Sequence, residues 1–570
     1  RVYLPWVDME AVMAREGIPL YSLETRHPVA DFDLLALSVP YEQLYTNVLQ
    51  VLHLAGLPLR SADRNESMPL VIAGGHACYN PEPLAEFVDL FVVGEGEEII
   101  VEIADMLGRM KRARLSRESQ LAELARLEGV YVPRFYDVAY LPDGTVAGVR
   151  PTHEAARFPI LKRIVPVLPP PLTRFVVPNI DTVHNRVPIE IMRGCTRGCR
   201  FCHAGMVMRP VRERTVDEIV AAVEEAVTQT GFEEVALLSL SSSDYTRVVD
   251  LVNAVAERFA DRHLSIGLPS LRIETSSADL MEALKDNKRG GFTFAPEAAT
   301  ERMRTIINKP VSDRQLLDVA REVYRRGWRT IKLYFMIGHP SETLEDVQAI
   351  ADLAKAVLAE GRRIHGQKAR VNVGVSTFIP KPHTPFQWVP MDTLDQIEAK
   401  QGLLKRQIRG NGLRLRWNHP DEALLEGLLS RGDRRLGPVI QRAWELGSRF
   451  DAWQEHHRHA AWEQALAEHG LEFAFYTHRA RTLDEIFPWD HIDPAVRKQF
   501  LARDYLMSQQ GETRIDCREQ CFACGILPKF AQTRSRTPAE AWRCPPVKPV
   551  TERGKGRRRT GVEVVPLRPA

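Results

Sequence analysis

The sequence of 570 residues lacks several features that would place it in a broad class of proteins. No run of eighteen apolar residues occurs, which excludes a membrane-spanning helix, and no secretory signal precedes the first predicted strand. Neither sign of charge is in excess, because 76 basic and 74 acidic residues give a formal charge of +2, so the composition does not indicate general polyanion binding. The first residue is not methionine, and the start at residues 1–5 resembles the middle of a domain, so we expect an N-terminal truncation.

Cysteine is also scarce, with eight residues, and six of them fall in two CxxxCxxC segments. Such clustering indicates metal ligation in a reducing cytoplasm rather than disulfide bonds. The lone Cys78 is predicted to be a small buried residue. The length predicts three or four domains, and a 44% content of hydrophobic residues is enough to build their cores.

The first cysteine segment follows a predicted strand and carries the thiols of Cys195, Cys199 and Cys202. Three thiolates from one short loop can hold three irons of an iron–sulfur cube and leave the fourth iron open. A structural zinc site needs four ligands, and His203 follows the last cysteine too closely to serve as the fourth. Gly194 and Gly198 allow the left-handed turns that such a loop requires, and Phe201 can shield one face of the cluster. The alternatives to such a cluster are a zinc knuckle and a set of buried cysteines without a metal.

The residues CTRGCRFC, with an aromatic residue before the last cysteine, resemble the motif of the radical S-adenosylmethionine (SAM) enzymes. The resemblance implies a 4Fe–4S cluster whose open iron binds SAM, and an electron that cleaves SAM to methionine and a 5′-deoxyadenosyl radical. It also implies a flavodoxin-like or ferredoxin-like electron donor as a partner.

Residues 1–130 alternate apolar runs with amphipathic stretches, which predicts a doubly wound, Rossmann-like α/β domain. Strands are predicted over 32–39, 70–75 and 90–94, with a helix over 45–57. The order AGGHACYNPEPLAEFVDLFVVGEGE resembles a cobalamin-binding domain, although the DxHxxG motif of some cobalamin proteins is absent from this sequence. The resemblance implies cobalamin contacts at the strand ends, from Gly74, Gly75, Gly94, Glu95 and Gly96. Tight turns without a ligand are the alternative.

Residues 175–417 repeat a strand and a helix six times, which predicts a partial (β/α)6 barrel like the radical SAM core. The predicted strands are 188–192, 234–240, 263–268, 291–295, 330–337 and 370–378. Chemistry in such folds lies at the carboxyl ends of the strands, where the first cysteine segment is also placed. The resemblance implies that SAM contacts come from Phe201, Ser241, Ser242, Ser243, Glu297, Gly338 and Ser376. Helix caps and turns are the alternative explanation for these polar strand ends.

Four further regions complete the predicted organisation. Residues 131–174 form a linker with a hairpin at an Asp-Gly turn, and residues 418–510 are helical. Residues 511–546 are cysteine-rich and offer four ligands for zinc or an auxiliary iron–sulfur cluster: Cys517, Cys521, Cys524 and Cys544. Residues 547–570 are predicted to be a basic, disordered tail, which can also hold RNA electrostatically.

The favoured hypothesis is a cytoplasmic radical SAM enzyme that uses cobalamin to methylate an unactivated carbon of an unknown substrate. The first alternative is a radical SAM enzyme that uses the radical for rearrangement, cyclisation or sulfur insertion, without methyl transfer. RNA is one candidate substrate of this alternative. The second alternative is a non-catalytic protein that binds RNA or senses iron.

Overall fold

The computed structural model of the protein describes residues 1–180, 182–262, 264–275, 278–284, 291–539, 541–542 and 544–545, so the predicted tail over 547–570 lies outside the described residues. The α-helices in chain order are α1 (Val7–Glu16), α2 (Tyr45–Leu54), α3 (Ile99–Arg112), α4 (Arg117–Ala125), α5 (His203–Val207), α6 (Val216–Thr230), α7 (Val248–Arg258), α8 (Ala278–Ala283), α9 (Glu301–Ile306), α10 (Asp313–Arg325), α11 (Leu344–His365), α12 (Leu394–Gln407), α13 (Pro420–Arg431), α14 (Leu436–Glu445), α15 (His459–Glu468), α16 (Phe473–Thr477), α17 (Lys498–Gln509), α18 (Ile526–Lys529) and α19 (Ala531–Ser535). The strands are β1 (Leu34–Ser38), β2 (Leu70–Gly74), β3 (Leu90–Val92), β4 (Val130–Tyr131), β5 (Tyr136–Tyr140), β6 (Val146–Pro151), β7 (Ile160–Leu161), β8 (Val187–Glu190), β9 (Met192–Arg193), β10 (Arg212–Glu213), β11 (Glu234–Leu238), β12 (Ser265–Gly267), β13 (Phe292–Glu297), β14 (Thr330–Ile337), β15 (Arg370–Thr377), β16 (Leu413–Trp417) and β17 (Ile492–Asp493).

The described residues divide into two compact units. The first unit contains Arg1–Val165, Ile379–Met391 and His419–Arg497. The second unit contains Pro166–Phe378, Asp392–Asn418 and the described residues from Lys498 onward. The region predicted as a helical domain over 418–510 is therefore divided: α13–α16 belong to the first unit, where α14 packs against α2, and α17 belongs to the second.

The sheet of the first unit confirms the α/β class predicted for the N-terminal region. Strands β1, β2 and β3 are parallel and lie in chain order, and the short β4 pairs antiparallel with β3. The predicted strands and the helix over 45–57 are present with slightly shorter bounds. The reversal of strand order that defines a doubly wound sheet is not seen among these four described strands.

The predicted hairpin is confirmed as β5 and β6, which pair antiparallel. The turn between them places Gly144 in the left-handed region, at φ 84°, and Asp143 accepts a hydrogen bond from the Thr145 amide at 2.9 Å. These are the roles that an Asp-Gly pair has in such turns.

The second unit contains the predicted partial barrel as two parallel sheets. One sheet has the order β12-β11-β8 and the other the order β13-β14-β15-β16. All six predicted strands are confirmed, and β16 adds a strand that the sequence did not predict. Among the described residues β12 and β13 do not pair, so the two sheets do not close into a full barrel.

Successive side chains of each barrel strand point alternately toward the helices outside the barrel and toward its interior. On β14 the alternate residues Ile331, Leu333 and Phe335 are buried in one apolar core, together with residues of α10, α11 and α12. The residues between them point to the opposite face of the sheet. That face and the carboxyl ends of the strands are where functional groups are expected.

Among the helices in the described part of the chain, none combines the length and the apolar character that crossing a membrane requires.

Candidate functional site

The first cysteine segment forms a loop that follows β8 and is framed by the antiparallel pair β9 and β10. Gly194 begins the loop at φ 86°, and a Cβ at this position would lie 2.8 Å from the carbonyl oxygens of both Met208 and Pro210. Gly198 also has a left-handed backbone, at φ 74°. Glycine is therefore required at 194 for two reasons, backbone conformation and the close approach of two carbonyl groups.

The three thiols of this loop differ in exposure. Cys199 is buried, whereas Cys195 and Cys202 are half-buried. Cys202 is the residue before α5, and its sulfur accepts a hydrogen bond from the Gly205 amide at 3.3 Å. Burial, and then the neighbouring Cys199 and Cys195, raise the pKa of the Cys202 thiol to about 12. A cation bound by the loop would reverse this effect, because it stabilises thiolates and so lowers their pKa.

The second cysteine segment lies against the first, which spacing in the sequence did not predict. The Cys517 amide donates to the Thr196 carbonyl at 3.1 Å, and the Thr196 hydroxyl donates to Asp516 at 2.8 Å. Arg197 forms ion pairs with both Asp516 and Asp244. The loop that carries the first three cysteines is therefore fixed by residues from two distant parts of the chain.

Arg209 is a buried cation next to both cysteine segments. Its guanidinium donates to the Gly205 carbonyl at 3.0 Å. Burial lowers the pKa of Arg209, but Cys524, Cys517 and Cys195 raise it above its ordinary value overall. A positive charge is thus shared between thiols of the two segments.

The four cysteines of the second segment are all described and all half-buried. Burial, and then Asp516, Cys544 and Cys524, raise the pKa of Cys517 to about 12, while the Arg209 cation opposes this increase. The Trp542 indole donates to the Cys544 sulfur at 3.3 Å. In the described part of the chain, no three His, Cys, Asp or Glu side chains are grouped as the ligands of a single metal ion, and this holds for both cysteine segments.

Asn308 is a third element of the loop that the sequence did not single out. Its side-chain amide donates to the carbonyl groups of Arg197 and Gly198 at 3.2 and 3.1 Å, and its oxygen accepts from the Arg514 amide at 2.8 Å. Asn308 itself has a left-handed backbone, at φ 57°. The side chain of an Asn in this conformation can hydrogen-bond to a neighbouring segment, but no local sequence pattern indicates which segment it contacts.

The predicted serines follow β11, but their hydroxyl groups are used within the fold. Ser241 donates to Asp244 at 2.6 Å, and Ser242 donates to the Leu237 carbonyl at 3.0 Å. Ser243 accepts from the Arg272 amide at 2.9 Å. These hydrogen bonds hold the strand end together, but they are not helix caps, because Ser241 makes no capping hydrogen bond to the short turn that follows it.

Arg272 connects this strand end to the cysteine loop. Its guanidinium lies 3.5 Å from the Cys199 sulfur and 2.7 Å from Glu274. Burial lowers the pKa of Arg272, but Cys199 and Glu274 raise it above its ordinary value overall. Arg272 thus places a fixed positive charge next to the Cys199 sulfur.

Glu297 ends β13 in an uncommon conformation. Its φ is 66°, in the left-handed region, and its carboxylate forms an ion pair with Lys309 at 3.2 Å. Glu297 also contributes to the raised pKa of Cys202, so it lies within electrostatic range of the loop. A strained non-glycine residue at a strand end is a feature that clusters at functional sites.

Gly338 follows β14 and is likewise left-handed, at φ 96°. Its amide donates to Glu342 at 2.8 Å, and Lys400 forms ion pairs with Glu342 and Asp392 at 2.8 and 2.6 Å. Burial raises the pKa of Glu342 to about 7 even though Lys400 lowers it. This buried charge cluster fixes the turn that the sequence predicted beside SAM.

Two further predicted contacts remain accessible. Ser376 is exposed near the end of β15, and its hydroxyl lies 3.4 Å from the Phe335 carbonyl, to which it donates. Phe201 is half-buried beside Cys202. Both positions leave surface for a ligand.

The five residues predicted to contact cobalamin lie in the first unit. A Cβ on Gly75 would lie 2.5 Å from the Val39 carbonyl oxygen, and one on Gly94 would lie 2.1 Å from that of Arg163. The Glu95 carboxylate accepts from the Val165 amide at 2.6 Å. The close approach of the chain's own backbone thus explains why residues 75 and 94 are glycine. This explanation needs no ligand and agrees with the alternative of tight turns without a ligand. The other two residues are half-buried Gly74 and exposed Gly96.

Comparison with known proteins identifies the same family that the cysteine loop resembles. The family model described as radical SAM proteins, N-terminal, matches residues 1–133, and the model described as the radical SAM superfamily matches residues 189–354. Together they match more than half of the chain, and the second includes the loop and β8–β14.

Two curated relatives and one solved structure show how far the similarity extends. An uncharacterised protein of Methanocaldococcus jannaschii is 29% identical over 429 residues, which is 74% of this chain and 83% of that protein. The tRNA-2-methylthio-N(6)-dimethylallyladenosine synthase of Desulforamulus reducens is 29% identical over 267 residues, 44% of this chain and 54% of that protein. The radical SAM methyltransferase TsrM from Kitasatospora setae, with cobalamin and a 4Fe–4S cluster bound, aligns at a TM-score of 0.45 and 14% identity, covering 67% of this chain and 69% of that one. By its family matches, this chain belongs to the radical SAM superfamily.

Proposed function

We propose that Cys195, Cys199 and Cys202 hold the 4Fe–4S cluster at which this radical SAM enzyme cleaves SAM. The observation that carries the proposal is the loop itself, which presents three thiols at the end of the first barrel strand and is held by Gly194, by Asn308 and by the ion pairs of Arg197. When bound, the cluster and SAM together supply a 5′-deoxyadenosyl radical. The protein positions these groups and excludes water from them.

The fit of the loop to such a cluster follows from its charges. Burial and mutual repulsion raise the pKa values of Cys195 and Cys202, so three clustered thiolates need a compensating cation. Arg272 beside Cys199 and Arg209 near Cys195 add positive charge, and a 4Fe–4S core would add more. The residues present therefore suit an iron–sulfur group.

Methylation of an unactivated carbon with cobalamin is the first form of the proposed reaction. Its support is the α/β sheet over residues 34–131, whose parallel strands end at Gly74 and near Gly94. Among the glycines predicted to contact cobalamin, a Cβ on Gly74 or Gly96 would not approach any chain atom closely enough to explain why these residues are glycine. Cobalamin is therefore proposed for the surface beside these two residues, and no step is assigned to it.

A second centre at Cys517, Cys521, Cys524 and Cys544 is the other part of the proposal, and it favours the sulfur-insertion alternative. The observation behind it is the contact between the two cysteine segments through Thr196 and Arg209. An auxiliary cluster in this position would lie beside the first one. The relative from Desulforamulus reducens is named as a methylthio-forming synthase that acts on tRNA, so sulfur insertion into RNA is the form of this alternative that we propose to test.

The experiment starts from anaerobic protein reconstituted with iron and sulfide and reduced with a flavodoxin system. We expect 5′-deoxyadenosine to form with the unsubstituted chain and to be lost in Cys195→Ala, Cys199→Ala and Cys202→Ala. Cys78→Ala is the matched control, because that buried cysteine belongs to the first unit, whereas the loop belongs to the second. A triple alanine variant that still makes 5′-deoxyadenosine would refute the assignment of the cluster. An unsubstituted chain that makes no 5′-deoxyadenosine would instead support the non-catalytic alternative.

The reaction type is separated by its products. Transfer of a labelled methyl group from SAM, together with corrinoid retained by the purified protein, supports methylation. Sulfur incorporation that depends on the second cysteine segment supports the alternative. Protein that retains no corrinoid argues against the cobalamin form.

A further inference from the structure

A group of cations on the inward face of the second barrel sheet has no partner among the described residues. Lys332 of β14 and Arg414 and Arg416 of β16 form no ion pair or side-chain hydrogen bond in the part of the chain that the structure describes, and all three are exposed. Most other arginines of this unit are paired, for example Arg197 with Asp244 and Arg302 with Asp346. Charge left unpaired on a sheet face suits an anionic ligand.

The strand register places these cations in adjacent rows. Lys332 is opposite Asn372, which is opposite Arg414, and in the next row Tyr334 is opposite Gly374, which is opposite Arg416. They line a cavity of about 270 Å³ that includes no acidic residue. A second cavity of about 480 Å³ shares Lys332 and Tyr334 and extends to the first sheet. Its one acidic residue, Glu234, is paired with Arg186 at 3.1 Å.

Tyr334 supplies a flat apolar surface in the same rows. Its side chain is 49% exposed, and its ring covers Gly374 so closely that a Cβ there would lie 2.7 Å from the ring. Gly374 has no left-handed backbone to explain it, so the glycine is required by the ring. One ring face is thereby fixed against the sheet, and the other is left for stacking with a planar group.

The same rows lie below the strand ends that carry the proposed SAM contacts. Ser376 is two residues beyond Gly374 on β15, and strands rise about 3.3 Å per residue, so the two rows are separated by about 7 Å. A molecule held by Arg414, Arg416 and Tyr334 would extend toward the end of the barrel where the cysteine loop lies.

We propose that this inward face binds the substrate of the enzyme through a planar ring that carries a phosphate or carboxylate group. The ring stacks on Tyr334, and the anion is held by Arg414, Arg416 and Lys332. This assignment of a substrate class rests on the proposed function, since it takes the barrel to be the place of the radical reaction. Base-tolerant stacking next to arginines is also how nucleic acids are bound. The neighbouring cavity of about 480 Å³, which shares Lys332 and Tyr334 and extends to the first sheet, has the size of a small-molecule pocket and favours a small molecule or a terminal group.

Binding of simple probes to the full chain tests the proposal without any turnover. The probes are phenyl phosphate, benzoate, inorganic phosphate and benzyl alcohol, measured by calorimetry in the absence of SAM. We expect phenyl phosphate or benzoate to bind about tenfold more tightly than either inorganic phosphate or benzyl alcohol, because each of the last two makes only one of the two contacts. Which of the two anions binds more tightly identifies the acidic group.

Three variants locate the site. Arg414→Gln with Arg416→Gln should weaken phenyl phosphate binding about tenfold or more, and Tyr334→Leu should reduce it to the level of inorganic phosphate. The matched control, Arg314→Gln with Arg409→Gln, removes two exposed cations on the outer helical side and should leave binding unchanged. Equal effects of the test and control pairs, or no preference for the ringed anions, would overturn the proposal. A single-stranded RNA that binds more tightly than every small probe, with loss in the same Arg pair, would replace the small-molecule assignment with a nucleic-acid one.

The result is separable from the proposed function. The control pair, Arg314→Gln with Arg409→Gln, should retain uncoupled 5′-deoxyadenosine formation as well as phenyl phosphate binding, because neither residue belongs to the cysteine loop or to the proposed binding face. Conversely, Cys195→Ala should keep phenyl phosphate binding while it loses 5′-deoxyadenosine formation. Loss of binding in Cys195→Ala but not in the Arg pair would contradict the assignment to this face.

Discussion

Replacement of Gly194 by alanine tests whether the cysteine loop depends on the close approach of two carbonyl groups. The left-handed backbone at 194 costs an alanine roughly 1–2 kcal/mol. Overlap of the new Cβ with the carbonyl oxygens of Met208 and Pro210, both at 2.8 Å, forces a backbone shift that costs about 1–3 kcal/mol more. The expected loss of local stability is therefore about 2–5 kcal/mol.

Gly231 offers the matched control for this substitution. It follows α6 with φ 72°, and a Cβ there would meet no atom within 4 Å. Gly231→Ala should therefore cost only the conformational part, roughly 1–2 kcal/mol. The difference between the two variants isolates the overlap at the loop.

Native-state hydrogen exchange followed by mass spectrometry is the assay, because it reports the opening free energy of one segment within a chain of two compact units. Amides over 187–214 should exchange faster in Gly194→Ala than in the unsubstituted protein, by more than amides over 216–231 do in Gly231→Ala. Iron content after reconstitution should fall in Gly194→Ala alone. Equal protection losses in the two variants, with full iron content, would show that the two carbonyl contacts do not constrain the loop.

Substitutions at three further positions test other parts of the structure. Cys521→Ser should lower metal content and the stability of the C-terminal segment while it leaves 5′-deoxyadenosine formation largely intact, and unchanged metal content would contradict a four-cysteine site. Asn308→Ala should speed amide exchange in the loop at 197–198, because the carbonyl groups of Arg197 and Gly198 lose the Asn308 side-chain amide that donates to both and holds the loop. Asn308→Asp keeps only the acceptor and should not restore the protection. Burial raises the pKa of Asp451 to about 6, so its folded form binds a proton more strongly than its unfolded form and stability falls as pH rises from about 4 to 6. Asp451→Asn should remove this pH dependence and raise the stability of the first unit at pH 8 by up to about 3 kcal/mol, measured by urea unfolding at pH 4 and pH 8, and an unchanged pH profile would argue against the assignment.

The barrel could be predicted from the sequence because its strands are short apolar runs between amphipathic helices. The prediction for β14 agrees with the structure at both ends, and that for β15 differs by one residue. Strand β16 was missed because its residues Leu413–Trp417 alternate apolar and basic side chains, a pattern that fits a surface strand as well as a barrel edge. Its pairing with β15 depends on a partner that is distant in sequence, which periodicity does not specify.

The sequence distinguishes the predicted cofactor contacts from structural residues less sharply than it does the cysteine loop, for a physical reason. A ligand set proposed within one loop is local, so its spacing is sufficient to predict it, whereas a serine or glycine at a strand end serves either the fold or a ligand. The structure gives Ser241 and Ser242 partners within the chain, and it gives Gly94 the close approach of Arg163. Only the partners of such residues distinguish the two roles, and these partners come from other elements.

The contact between the two cysteine segments is the clearest case of information that spacing does not contain. Thr196 and Asp516 are separated by 320 residues, yet they share a hydrogen bond, and Arg200 of the first loop is buried in an ion pair with Asp504 of α17. Breaking such a buried pair leaves an uncompensated charge, so the C-terminal segment and the loop stabilise each other. These contacts are made by side chains other than the cysteines, so they can persist when the second centre is lost, whether its metal is zinc or iron. This coupling is why loss of the second centre must be measured by metal content and radical formation separately.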